Sequence, residues 1–356
     1  MLVYWIWLSR CKGLSGAKKL ALCARYGDPR GVWESGGYDT DLSQAETILE
    51  DCRRKGVQIL TAGDASYPRR LLDIADPPLV LYYKGRLPQF DREAAIGVVG
   101  TRNASAYGLM AAEKLAREIS LLGGLVVSGM AAGIDAQAGW GAVRAGCPAV
   151  GVLGGGVDVI YPSSNRDLYE AVERNGCLIS EYPPGTPPGR WTFPQRNRII
   201  SGLSVAVLAV EAPERSGTMI TVRDAQKQGR DLFAVPGNID SPTCAGTNGL
   251  LQNGAQAATC GMDVMRHYEG KFPDRLHREP APVIARAPAP KAAPKPLGAT
   301  AEEQAVLDAL GEGERNYDQI ITASGLSSDK AMAVLTMLEI KGMVKTLPGR
   351  RAIRTM

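Results

Sequence analysis

The stretch Ala95-Ile96-Gly97-Val98-Val99-Gly100-Thr101-Arg102-Asn103-Ala104-Ser105 decides the fold. Five small or apolar residues run without a polar interruption and stop at Gly100. A polar loop then leads into amphipathic helical sequence over 106–122. An unbroken apolar run suits a strand whose sheet is covered by helices on both faces, as in parallel α/β proteins. Reading outward, the same unit repeats. Further strands are expected at Leu125–Ser128, Ala149–Leu153, Leu178–Glu181, Val205–Val210 and Asp231–Val235. Helices are expected at 133–145, 164–175, 194–203 and 217–229. Strand and helix alternating through short connections predict an α/β domain with a Rossmann-like, doubly wound parallel sheet over residues 71–265.

The flanks read differently. Residues 1–70 are mostly helical in pattern, and the turn Gly13-Leu14-Ser15-Gly16 lies between two short amphipathic stretches. That arrangement fits an ordinary helical hairpin. It also fits a small helical domain of helix-hairpin-helix or sterile-alpha-motif (SAM) type, whose turn N–H groups can hold a phosphate. Pro68, Pro77, Pro78 and Pro88 bracket the apolar run Leu79–Tyr83, which suggests a connecting strand or turn. Residues 266–298 are expected to form a basic linker, rich in Pro and Ala from 279 onward. Residues 299–356 then give three helices and a hairpin, a winged-helix pattern. Its third helix, Ser328–Glu339, is largely apolar and carries few bases, so groove reading by it is doubtful and a protein contact fits equally well.

Composition excludes several classes. With 45% hydrophobic and 22% charged residues in a chain of 356, neither global disorder nor a fibrous repeat is expected. No apolar run nears the roughly 20 residues that span a bilayer. Met1–Leu8 is too short for a signal-peptide core and has no basic stretch before it, so a cytoplasmic protein without a membrane partner is expected. The seven cysteines show no C-x-x-C spacing and the two histidines, His267 and His277, lie near the linker. Neither a metal site nor a disulfide framework is expected, and Ser-His or Cys-His hydrolysis lacks its base. The net charge of +4 is misleading, because residues 91–265 carry 14 Lys/Arg against 16 Asp/Glu. Nucleic acid could be held there only by a local patch. Twelve of those 14 bases are Arg, the residue suited to bidentate phosphate contact.

The loops at the carboxyl ends of the expected strands offer such a patch. They contain Gly100, Thr101, Arg102 and Ser105, then Ser128 and Gly129, then Gly154-Gly155-Gly156, then Phe193, Arg196, Asn197 and Arg198, and finally Ser216, Gly217 and Thr218. Glycines admit a close backbone approach, helix N-termini and hydroxyls donate to phosphate, and Arg adds charge. Neither a G-x-G-x-x-G nor a G-x-x-x-x-G-K-[ST] pattern occurs in these loops, so no nucleotide cofactor is expected. Phe193 beside Arg196 and Arg198 pairs a stacking face with backbone clamps, as single-stranded nucleic acid requires. Taken singly, Phe193 reads as a core anchor and each Arg as an ion-pair residue. The cluster carries the case.

These segments resemble the DNA-processing protein A (DprA/Smf) family. The likeness rests on Val99–Ser105, Ser128–Asp135, Phe193–Ile200, Ser216–Thr221, Ala234–Gly237 and Gly246–Asn248. The resemblance implies a non-enzymatic recombination mediator that binds and protects single-stranded DNA (ssDNA), forms a homodimer and loads the RecA recombinase in natural transformation. It implies backbone contacts from Arg102, Arg196 and Arg198 and base stacking on Phe193. One departure concerns the His that usually stands four residues after the Gly-Ile-Asp motif. Here Gly139 takes its place, removing a polar anchor expected under the site, and Ala132 replaces a larger residue. Asp135 is expected to cap its helix. The alternative is a nucleotide phosphoribohydrolase-like enzyme of the lysine-decarboxylase-like group. Its P-G-G-x-G-T-x-x-E carboxylate is replaced by Thr221, leaving Glu181 and Glu211 as substitutes. In a third reading the winged helix reads duplex DNA.

Overall fold

In this computed structural model, residues 1–276, 300–311, 313–341, 343–347 and 349–354 are described. They fall into two units, one on each side of the stretch 277–299. In the first unit nine strands form one sheet. They are β1 (Gln58–Thr61), β2 (Val80–Gly85), β3 (Ala95–Val99), β4 (Leu125–Ser128), β5 (Ala149–Leu153), β6 (Cys177–Ser180), β7 (Ala206–Ala209), β8 (Asp231–Ala234) and β9 (Gln256–Ala257). Their order is β1-β2-β6-β5-β4-β3-β7-β8-β9. From β6 to β9 every pairing is parallel, while β1 and β2 are antiparallel additions at one edge. The chain winds outward from β3 through β4 to β6, then returns to the other side of β3 with β7. The strand order therefore reverses between β3 and β7, where open α/β sheets bind ligands.

All six strands expected from the apolar runs are present, within a residue or two at their ends. Every residue of β3, β4, β5, β6 and β7 is buried, which explains why these strands read as apolar runs without alternation. The helices Ala106–Leu121, Ile134–Arg144, Arg166–Asn175, Thr192–Leu203 and Thr218–Lys227 fill the connections.

Two segments lie differently from the sequence reading. The sheet starts at Gln58, inside the stretch 1–70 read as helical, because β1 pairs with β2 from Gln58↔Tyr83 to Thr61↔Val80. Four residues with only two buried carry no periodic signal. The helices Leu2–Arg10, Gly16–Tyr26, Pro29–Glu34 and Ser43–Arg54 precede it, and Ile6 and Leu8 share one buried cluster with Ile96 and Leu115. At the other end, residues 266–276, expected to begin the linker, pack on the core. Tyr268 is buried with its hydroxyl 2.6 Å from Asp231, and Arg275 pairs with Glu93 at 3.2 Å. The Pro/Ala-rich part of the expected linker lies outside the described residues.

The Gly13–Gly16 turn is not an open phosphate cradle. Gly16 N–H donates to Asp76 at 2.6 Å, and a Cβ on Gly16 would sit 1.9 Å from the Pro77 carbonyl oxygen. The turn's donor is used to dock the helices on the sheet domain.

The second unit has helices Ala301–Leu310, Tyr317–Ser324 and Ser328–Ile340. Its three-stranded sheet is built from β10 (Arg315–Asn316), β11 (Val344–Leu347) and β12 (Arg351–Arg354), in the order β10-β12-β11. Val306, Leu310, Ile320, Leu335 and Leu338 fill its core. Thr300 and Glu303 cap the first helix reciprocally. This is the winged-helix arrangement.

Candidate nucleic-acid interface

A cleft of about 430 Å³ opens at the β3/β7 reversal point. Its lining brings together Gly100, Thr101, Arg102, Phe193, Arg196, Asn197, Ser216, Gly217 and Thr218, as the strand-end loops suggested. Asn103, Arg190 and Asp135 also line it. Arg190 sits in an aperiodic Pro/Gly loop, and only its adjacency to Trp191 and Phe193 could have marked it in the sequence. The charged side chains of the lining are three Arg and one Asp, so the cleft is cationic although residues 91–265 are net negative.

Phe193 stands in the wall of this cleft. The Arg102 guanidinium lies over its ring, 4.8 Å from the centroid, and the exposed Tyr161 ring is 5.6 Å away at 34°. Tyr161 ends the strand-end loop that begins at Gly154, but nothing in the sequence places its ring beside Phe193. The ring has room because residue 154 is glycine: a Cβ there would approach Phe193 to 2.9 Å. The Gly154–Gly156 run, expected to approach phosphate, thus accommodates the ring and the loop 183–188 instead.

Arg196 is a buried clamp, 4% exposed. Its Nη1 donates to the Gly129 carbonyl at 2.5 Å and to the Val152 carbonyl, joining the ends of β4 and β5. Gly129 is held from the other side as well, since its N–H donates to Asp135 at 3.1 Å. A Cβ on Gly129 would lie 2.6 Å from Asp135 and 2.8 Å from the Arg196 guanidinium, so only glycine fits between them. Burial pushes the Asp135 carboxyl above its ordinary range, with Arg196 opposing the shift. Burial also lowers the Arg196 guanidinium, which stays charged because its ordinary value lies so far above neutrality. Asp135 therefore ties its loop down rather than capping its helix, whose N-cap Gly133 has no side-chain bond.

Four further expectations are corrected. Arg198 does not share the cleft. It donates to Glu181 at 2.8 Å and lies 3.5 Å from Asp76, in a second cavity with Lys19 against the N-terminal helices. Residues two apart on a helix point apart, so the Arg pair could not form one patch. Ser105 caps the helix Ala106–Leu121, and its N–H and hydroxyl both donate to Glu211 at 3.0 Å. Ser128 is buried and donates to the Val98 carbonyl at 2.7 Å. Gly139 packs against Leu168, so the position of the missing His is a helix contact away from the cleft lining.

The far wall is the start of the helix Thr218–Lys227. Gly217 is its N-cap, with φ −60° and ψ −28°, and a Cβ there would meet nothing within 4 Å. The fold does not demand glycine at 217. The buried Ser216 hydroxyl has no hydrogen-bond partner. A helix N-terminus, a hydroxyl with no hydrogen-bond partner and the exposed Arg102 and Arg190 share this lining with the ring of Phe193, and such groups are able to receive an anion beside an aromatic face. Neither carboxylate considered for hydrolysis reaches the cleft. Glu181 is paired with Arg198, and Glu211 is fully buried under Ser105 and Thr243.

Residues 58–269 match the family model of the DNA recombination-mediator protein A. The chain belongs to that family. Residues 287–350 match the DprA winged helix domain. Among curated DprA/Smf relatives, Protein Smf of Synechocystis is 37% identical over 85% of this chain and 82% of its own length. DNA processing protein DprA of Bacillus subtilis is 41% identical over 61% of this chain and 73% of its own. Among solved structures, DprA of Streptococcus pneumoniae superposes with a TM-score of 0.65 at 32% identity, covering 75% of this chain and 98% of that one. DNA processing protein A of Helicobacter pylori, described for its single-stranded DNA binding mode, gives 0.54 at 30% identity over 62% and 98%. Among the described residues no helix is long and apolar enough to cross a membrane.

Proposed function

We propose that this recombination mediator binds ssDNA in the cleft at the β3/β7 reversal point, without chemistry of its own. A base stacks against Phe193, Arg102 and Arg190 take phosphates, and Ser216 and the N–H groups at Gly217–Thr218 receive a further phosphate. One observation carries the reading: the ring of Phe193 and the guanidinium of Arg102, 4.8 Å apart, share one cleft lining with the N-terminus of the helix Thr218–Lys227. Base contact and backbone contact from one cleft suit a flexible single strand, whose bases are free to stack. The H. pylori relative, described for its ssDNA binding mode, supports the same ligand. In the wider role the protein works in the cytoplasm as a homodimer, protects incoming single strands and hands them to RecA during natural transformation.

The test is a salt-titrated comparison of single- and double-stranded DNA binding, with an Arg102→Ala/Phe193→Ala variant as control. The reading expects tighter binding to the single strand, a steep fall with salt, and loss of that preference in the variant. Unchanged single-strand affinity in a folded double variant removes the cleft from the account. Release of free base from nucleoside monophosphates would instead establish an enzyme.

A further inference from the structure

Glu211 holds both ends of the loop that carries Arg102. At the first end the parallel pairing of β3 with β7 runs on past the strands. The Val210 N–H donates to the Val99 carbonyl at 3.0 Å, and the Thr101 N–H donates to the Glu211 carbonyl at 2.7 Å. At the second end the Glu211 side chain reaches Ser105, whose N–H and hydroxyl both donate to Oε2 at 3.0 Å. Only Arg102, Asn103 and Ala104 lie between these anchors, and Arg102 and Asn103 are exposed. Gly133 closes the loop in from another side. A Cβ there would lie 2.4 Å from the Thr101 carbonyl oxygen and 2.6 Å from that of Arg102. A short span fixed at both ends sets where the Arg102 side chain begins, so less ordering is left for a ligand to impose.

The surroundings are shaped to hold a carboxylate at this position. Glu211 is fully buried, and its second oxygen, Oε1, accepts from the Thr243 hydroxyl, so each oxygen has a donor. Residue 108, inside the helix Ala106–Leu121, is glycine, a poor helix former. A Cβ there would lie 1.7 Å from Oε2 of Glu211, so the helix gives up a side chain to admit the carboxylate. An apolar residue at 211 would fill a buried site without needing donors from two loops.

We propose that Glu211 is a positioning residue for ssDNA binding: it touches no DNA, and it acts by fixing the loop that presents Arg102 to the cleft. The inference rests on the cleft reading given above. It is tested in the full-length chain with two variants. Glu211→Asp is one methylene shorter and keeps the main-chain bond to Thr101. Glu211→Gln keeps the reach and still accepts from Ser105. Glu211→Asp is expected to weaken ssDNA binding by about three- to tenfold. Its log–log salt slope should fall by about 0.7, as for one lost phosphate contact. Glu211→Gln restores most of the affinity. In the Arg102→Ala background, Glu211→Asp costs less than about twofold, because its effect runs through Arg102. In the free protein, hydrogen exchange of the 101–105 amides speeds up in Glu211→Asp and not in Glu211→Gln. If Glu211→Asp does not fold, Ser105→Ala, which removes one of the carboxylate's donors, carries the same cycle with the same expected direction. Losses that are equal with and without Arg102, or a variant matching the parent in affinity and exchange, overturn the proposal while Arg102→Ala itself weakens binding. An Arg102→Ala protein that binds ssDNA as the parent does overturns the cleft reading and this proposal together.

Discussion

Arg196 and Arg198 stand two residues apart on one helix and line different cavities of the sheet domain. Arg196 ties the Gly129 and Val152 carbonyls beneath the cleft, while Arg198 pairs with Glu181 near the N-terminal helices. The two should therefore fail differently. Arg196→Ala takes a donor from the Gly129 and Val152 carbonyls and removes the opposing charge beside the buried Asp135. It should cost about 3–5 kcal/mol of stability. Arg198→Ala should loosen the hold on Asp76 and Glu181 yet leave ssDNA affinity within about twofold of the parent, well under 1 kcal/mol. Thermal melting and fluorescence anisotropy on the same samples check both. A large affinity drop in a stable Arg198→Ala protein refutes this division.

The fold was legible because its central strands are buried on both faces, so that Ala95–Val99 and Ala149–Leu153 announce themselves as apolar runs. The edge strand β1 was not, since four residues with half their side chains outside look like any short segment. The site was legible as a set of loops, because strand-end glycines, hydroxyls and arginines mark a parallel sheet's binding edge. It was not legible as a set of roles. Ser105 and Ser128 carry the same hydroxyl as Ser216, but only the structure tells that the first two are spent on Glu211 and Val98 while the third is unpaired. Helical phase was available for Arg196 and Arg198, and applying it would have separated them.

Phe193 and Arg102 should contribute distinguishable terms to ssDNA binding. Phe193→Ala removes a stacking surface and should cost about 1–3 kcal/mol at any salt concentration. Arg102→Ala removes one phosphate contact, so the salt slope should fall by about 0.7. Anisotropy titrations at several salt concentrations separate the two. Identical slopes for the parent and Arg102→Ala rule out the phosphate contact.

Asp263 gives the fold an acid-sensitive clamp. The N–H groups of Thr259 (2.8 Å) and Cys260 (3.1 Å) and the Thr259 hydroxyl donate to its Oδ2. Led by the Thr259 N–H bond, they hold the carboxyl down to about 2, against an ordinary 3.8. A depressed folded value stabilises fully above the unfolded value and loses that contribution as pH falls through the folded one. Asp263→Asn should thus cost about 1 kcal/mol at neutral pH. The gap from the parent should close between pH 4 and pH 2. Denaturant melts across that range measure it, and a gap independent of pH contradicts the clamp.

Trp191 is 85% exposed beside Arg190 of the cleft lining, whereas Trp5 and Trp7 are 8% and 5% exposed. A solvent-facing indole next to a cationic wall offers a second stacking surface. The red edge of the tryptophan emission should come largely from Trp191 and should be quenched by ssDNA. Trp191→Phe should abolish the quench while weakening binding by less than about 1 kcal/mol, because a ring remains. A quench that survives Trp191→Phe places the strand elsewhere.

Gly217 separates what the fold needs from what the ligand needs. Its backbone conformation accepts any residue, and the space around its absent Cβ is empty. Serine is a better N-cap than alanine and about equal to or better than glycine, so Gly217→Ser should hold stability or raise it by a few tenths of a kcal/mol. The new side chain, however, occupies the space in front of the helix N-terminus, where a phosphate would approach the N–H groups. Affinity for ssDNA should fall by about tenfold, or 1.4 kcal/mol. Thermal melts and anisotropy titrations read the two effects. Stability and affinity moving in opposite directions would show that the cleft, rather than the helix, explains the glycine. If Gly217→Ser binds ssDNA as tightly as the parent, no phosphate reaches this helix terminus and the strand must run along the Phe193 side alone.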